Sequence, residues 1–236
     1  MKTDRILKAA TVVKQPAGEA ELSLINAQTL RPLSAEEVFT FRLAACDDQV
    51  DRDYERFTAE TLEGLAALFV GKSVLMDHTW RAGSQTARVY AAGVEDSGGV
   101  KRLILRCYMP RTDQTAGTIT AIEAGILREC SVGCAVRRAV CSVCGADQSK
   151  TCCPHIPGRE YDGQLCVMAL DGARDAYEVS LVAVPAQPEA GVIKTKRYGG
   201  AETQNPQEPQ APDNTLLLAK AAQELEEKRY GGNFTC

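Results

Sequence analysis

Apolar and polar positions alternate through 38–46 (VFTFRLAAC), which predicts a strand. An acidic stretch at 47–53 follows as a loop. From Thr58 to Gly71 the period changes: Leu62, Leu65, Ala66 and Phe69 recur at helical spacing. Thr58 is placed to cap that helix, Thr61 begins a weaker capping pattern, and Gly71 ends it. The short apolar run 73–76 predicts a strand that delivers His78 at its end. Segments 87–92 and 101–108 form a predicted hairpin through Asp96-Ser97-Gly98-Gly99. A second helix is expected over 112–124, with Ile119, Ile122 and Ile126 on its apolar face and Gly125 near its end. Segment 130–140 is a predicted strand, 171–176 a helix or turn, and 177–184 (YEVSLVAV) a strong strand. Residues 1–35 are weakly patterned, with Pro16, Gly18 and Pro32, and predict an extended leader holding one short strand.

The pattern divides the chain into a leader (1–35), a globular part (36–193) with an insertion at 141–166, a flexible linker (194–214) and a C-terminal amphipathic helix and tail (215–236). Leu216, Leu217, Ala221 and Leu225 share one side of that last helix. The pentapeptide KRYGG occurs twice, at 196–200 and 228–232, on either side of this polar region. The predicted class is α+β, mainly β. Composition fits an ordinary soluble globular protein, with 44% hydrophobic and 25% charged residues. A net charge of -4 disfavours a general nucleic-acid-binding face. No apolar run is long enough to span a bilayer, and the N-terminus lacks a signal-peptide core, so a cytoplasmic protein with neither nucleic acid nor membrane as partner is expected.

In that reducing compartment the ten cysteines should not build a disulfide framework. Cys46, Cys107, Cys130 and Cys134 lie in apolar segments and act as small core hydrophobes. Cys141, Cys144, Cys152, Cys153 and Cys166 crowd into the insertion. Cys141-x2-Cys144 followed by Cys152-Cys153-Pro154-His155 supplies thiolates and one imidazole at the spacing that suits tetrahedral zinc. The expected ligands are Cys141, Cys144, Cys153 and His155, with Cys152 as alternate to Cys153 and Cys166 as alternate to His155. Four protein ligands leave no place for a reacting water, so such a zinc is structural.

Nucleophilic catalysis needs a hydroxyl beside a base, and a third group to orient the base. Only His78 and His155 could be that base. With His155 explained by the cysteines, His78 remains, and Ser131 in Ser131-Val132-Gly133 is the candidate nucleophile. Taken in order, Val74-Leu75-Met76-Asp77-His78, then Gly125-Ile126-Leu127-Arg128-Glu129-Cys130-Ser131-Val132-Gly133, then Glu178-Val179-Ser180-Leu181-Val182-Ala183-Val184-Pro185-Ala186, the chain resembles the prohead serine proteases of tailed bacteriophages. The likeness spans roughly 38–190. It departs from the family where Cys130 and Cys134 flank the serine and where the long insertion follows.

The resemblance implies a fold related to the herpesvirus assembly proteases: a closed, mostly antiparallel β-barrel with surrounding helices. It implies Ser131 and His78 as a pair on adjacent strands, and Glu178 as third member, with Asp77 and Asp175 as rivals. It further implies an endopeptidase that cleaves phage scaffold, major capsid protein and itself, inside an assembling prohead in the bacterial cytoplasm, as a homodimer or larger homo-oligomer. Near-terminal self-cleavage in that family would make the KRYGG copies processing sites and 215–229 a docking helix. Two other readings stand beside it. One is an inactive zinc-knuckle assembly protein with a protease-like fold; the other is a metallohydrolase using His78, Asp77 and the acidic loop 47–53.

Overall fold

The computed structural model describes residues 17–187 and 190–193. The linker, the C-terminal helix and tail, both KRYGG copies and residues 1–16 of the leader lie outside the described residues. Three helices and ten strands follow in chain order: α1 (Glu19–Asn26), β1 (Val38–Asp47), β2 (Glu55–Phe57), α2 (Ala59–Phe69), β3 (Ser73–Met76), β4 (Ala87–Ser97), β5 (Val100–Pro110), α3 (Asp113–Glu123), β6 (Cys130–Cys141), β7 (Glu160–Tyr161), β8 (Gln164–Leu165), β9 (Met168–Leu181) and β10 (Gly191–Ile193). Among the described residues no helix is long and apolar enough to cross a membrane.

Eight strands share one sheet, and β9 is its organiser. β2 and then β3 pair with β9 in parallel along one edge, while β6 pairs with it antiparallel along the other. From β3 the sheet continues through β4, β5 and β1 to β10. The fold class is α+β and mainly β, but the implied closed barrel does not form: no sheet closes on itself. The two free flanks, β6 and β10, meet only at an isolated bridge between Glu129 and Gly191. β10 has three residues, all of them paired with β1, which leaves too little strand for a second ladder.

The core follows from the strand and helix periods. Leu62, Leu65, Ala66 and Phe69 of α2 bury against Leu43, Val74, Val89, Leu103, Leu105 and Val179 of the sheet. Thr58 caps α2 by accepting from the Thr61 amide, and Thr112 caps α3 in the same way through Thr115. Ile25 of α1 covers the reverse face with Val38, Tyr90 and Tyr108.

Two local expectations are corrected. Part of the leader folds as α1 instead of a strand, started by a Glu21 carboxylate that accepts from the Gly18 amide. Segment 171–176 is neither helix nor turn; it continues β9, which bulges at Arg174 against β6, while Gly172, at φ +73°, stays in register. The strand also stops at Leu181, short of the predicted 184.

Candidate functional site

Register along β9 assembles the first group of side chains. Ser180 sits opposite Leu75 of β3 on one side and Ser131 of β6 on the other. Glu178, two residues earlier and so on the same face, sits opposite Ser73 and Gly133. His78 lies two residues past the end of β3, and the chain turns there through consecutive left-handed residues, Asp77 and His78, each at φ 50°. Such a conformation costs on the order of 1–3 kcal/mol per non-glycine residue and persists only where neighbours enforce it. Here the Asp77 amide donates to the Leu181 carbonyl at 3.0 Å and the His78 amide donates to Ser180 Oγ at 3.1 Å. The turn brings the imidazole back over the sheet, with Nδ1 2.7 Å from Glu178 Oε1.

Glu178 is 2% exposed, and both its oxygens are used: Oε1 meets His78, and Oε2 accepts from the Ser180 hydroxyl at 2.5 Å. A buried carboxylate needs such partners, since leaving it unmatched would cost several kcal/mol. A carboxylate at His78 Nδ1 selects the tautomer in which that nitrogen carries the proton, leaving Nε2 as the acceptor of a neutral ring. Room for the carboxylate comes from Gly133: a Cβ there would stand 2.6 Å from Glu178 Oε1. The glycine of the S-x-G motif thus clears space for the acid that holds the histidine. Ser131 is half-buried, and its side chain has no hydrogen-bond partner among the described residues. Burial pushes the Cys130 thiol up to about 12 and the Cys134 thiol up to about 11, so neither neighbour of Ser131 offers a thiolate near neutral pH.

Of the rival acids, Asp175 pairs with Lys72 at 3.7 Å, and Asp77 contributes its backbone to the turn. Ser180 was not among the expected site residues. The signal for it was the i, i+2 spacing of Glu178-Val179-Ser180 on a strand, which puts acid and hydroxyl on one face.

The second group lies in the insertion. Cys141, Cys144, Cys153 and His155 place one ligand atom each, all within 4.8 Å of one another. A tetrahedron with zinc-ligand bonds near 2.0–2.3 Å has ligand-ligand edges of about 3.5–3.8 Å. Cys141 Sγ and His155 Nδ1 already stand 3.8 Å apart. The cluster fits a metal such as zinc. Burial raises the Cys141 thiol, but the Cys144 and Val143 amides aimed at its sulfur outweigh that and bring it down to about 6. Gly145, at φ +72°, makes the turn that aims those amides, and its own N–H donates to the Cys141 carbonyl at 2.9 Å.

Cys153 and not Cys152 belongs to the cluster. Cys166 lies behind it, with Sγ 3.8 Å from Cys141 Sγ, and burial pushes its thiol up to about 11. The imidazole of His155 is steadied by an edge contact with Tyr161 at 4.5 Å between centroids. Among the described residues, His78, Asp77 and the acidic loop form no comparable metal group, which removes the geometric basis of the metallohydrolase reading.

Compared with protein-family models, curated proteins and solved structures, the chain matches none.

Proposed function

We propose that the chain is a serine endopeptidase of the prohead-maturation kind, with Ser131 as nucleophile, His78 as base and Glu178 as orienting acid. The observation that carries this reading is the buried Glu178 carboxylate 2.7 Å from His78 Nδ1, on a strand whose neighbour bears Ser131 opposite Ser180. The turn held by the Leu181 carbonyl and the Ser180 hydroxyl leaves the imidazole partly exposed with the buried acid behind it, as an oriented base requires.

In this mechanism His78 Nε2 takes the proton of Ser131 as Oγ attacks the scissile carbonyl. The imidazolium formed is stabilised by Glu178, and it returns the proton to the departing amine. Water then repeats the cycle on the acyl-enzyme, releasing the new carboxyl end and regenerating Ser131. The substrates proposed are phage scaffold and major capsid protein together with the chain itself, cleaved within an assembling prohead by a homodimer or larger assembly. Zinc at Cys141, Cys144, Cys153 and His155 supplies a structural cross-link for the insertion and takes no part in the bond cleavage.

A fluorophosphonate probe applied to the full chain tests the reading. Stoichiometric labelling that vanishes in Ser131→Ala is expected. A folded wild-type protein that takes no label would instead favour an inactive assembly protein with a zinc knuckle.

A further inference from the structure

A second concave surface lies away from His78, where the far end of the β6–β9 ladder faces the start of α2. This cavity of about 620 Å³ is lined by Arg137, Arg138, Arg174 and Lys150, with Glu60 and Asp171 as the acids present. Four cations against two carboxylates make it locally positive on a chain whose net charge is -4. Part of that charge is already matched: Arg138 pairs with Asp171, and Lys150 lies 3.7 Å from Asp147. Arg137 and Arg174 have no carboxylate partner among the described residues.

Arg137 is also held in place. Its Nε donates to the Ala173 carbonyl at 3.3 Å, and its stem lies against Gly172, where a Cβ would stand 3.1 Å from Arg137 Cδ. A guanidinium fixed through Nε presents its two terminal nitrogens as a ready fork for an oxyanion. The cations of the groove outnumber the carboxylates beside them, and an incoming anion relieves the repulsion left over.

We propose that this groove binds an acidic segment of another protein, its carboxylates taken by Arg137 and Arg174. A peptide fits better than a nucleic acid for two reasons. The cations form one compact cluster, whereas a phosphate backbone needs a track of contacts. No lining residue is aromatic, so bases would have nothing to stack on. Arg137 is on the same strand as Ser131 and six residues from it, about 20 Å at about 3.3 Å per residue. The groove is therefore a site separate from the His78–Glu178 pair, and its occupancy does not depend on any hydrolytic activity.

The test uses the full chain and fluorescence anisotropy with three probes: a labelled peptide of alternating Glu and Ser, its Gln-for-Glu counterpart, and a single-stranded oligonucleotide of equal charge. The Glu peptide should bind, weaken as salt is raised, and bind at least about tenfold less tightly to the Arg137→Glu/Arg174→Glu double variant. Lys101→Glu, outside the groove, should leave its affinity unchanged. Both arginines are exposed, and an unaltered melting temperature shows that the double variant has kept its fold. Tighter binding of the oligonucleotide, binding of the Gln peptide, absence of all binding, or indifference to the double reversal would each overturn the proposal.

Discussion

The His78–Glu178 site and the Cys/His cluster are built on opposite plans. Glu178 is 100 residues from His78 in sequence and reaches it only because β3, β9 and β6 lie in one register. The cluster draws all four ligands from 141–155, in a segment whose own strands are two residues long and whose apolar core is little more than Cys141, Cys166 and Met168. The first borrows its precision from a large core, so it should be rigid without any ligand. The second has too little core to hold itself, so its order depends on what its ligands bind.

That contrast can be broken from either side. The largest effect expected is from His78→Ala, which should lower the turnover of the proposed peptidase by at least about 10³-fold with metal content unchanged, and should also lower the melting temperature, because buried Glu178 Oε1 loses its partner. Metal loss accompanying the activity loss would show that the two sites are not independent. Next, Cys144→Ser should abolish zinc binding and free the amides of 141–166 to exchange. Fluorophosphonate labelling of Ser131 should persist, and loss of labelling would place the serine under control of the metal.

Acid should act on the cluster in the same direction. With the Cys141 thiol drawn down to about 6, its thiolate prevails above that pH. Bound zinc holds the thiolates against protonation, so release should come on acidification below about 6, which a chromogenic chelator would report; an affinity for zinc that does not weaken as pH falls would count against thiolate ligation.

Gly133→Ala sharpens the comparison from the other end. Its Cβ would press on Glu178 Oε1, so turnover should fall about 10- to 100-fold with no change in metal. The smallest effect belongs to Ser180→Ala, about tenfold or less in turnover. That change strips one partner from Glu178 and one from the His78 amide, at a cost of about 1–3 kcal/mol in stability. An effect as large as that of His78→Ala would give Ser180 more than a positioning role.

The same contrast explains what could be read from the chain beforehand. Ligands fourteen residues apart at most declare themselves by spacing, and three-dimensional placement only had to separate Cys153 from Cys152. Strands β1, β4, β5 and β6 were legible because alternation is a local property. β9 was not legible as one strand, because Asp171 and Gly172 carry turn chemistry, yet the ladder with β6 runs on through both and shifts only at Arg174 and Tyr177. α1 was missed because Pro16 and Gly18 suggested an extended chain, whereas Gly18 starts the helix and Ile25 anchors it. The His78–Glu178 contact depends on register across three strands, and register is long-range information. An expected barrel likewise depends on its last seam, and three residues of β10 were not enough to stitch it.

The open sheet has a consequence for how copies of this protein avoid one another. β6 runs twelve residues but has a ladder on one side only, and between its bridges at Glu129 and Val140 no strand pairs with the other side among the described residues. A long bare flank of this sort is a template on which a second chain can crystallise its own backbone. The register shifts opposite Gly133/Cys134 and Ala135/Val136 put their extra residues, Tyr177 and Arg174, on β9, so β6 is guarded chiefly by the positive charge of Arg137 and Arg138. The charge that lines the groove therefore also acts as a guard against fibre-like stacking. Neutralising its arginine pair should make copies of the chain more prone to stick to one another.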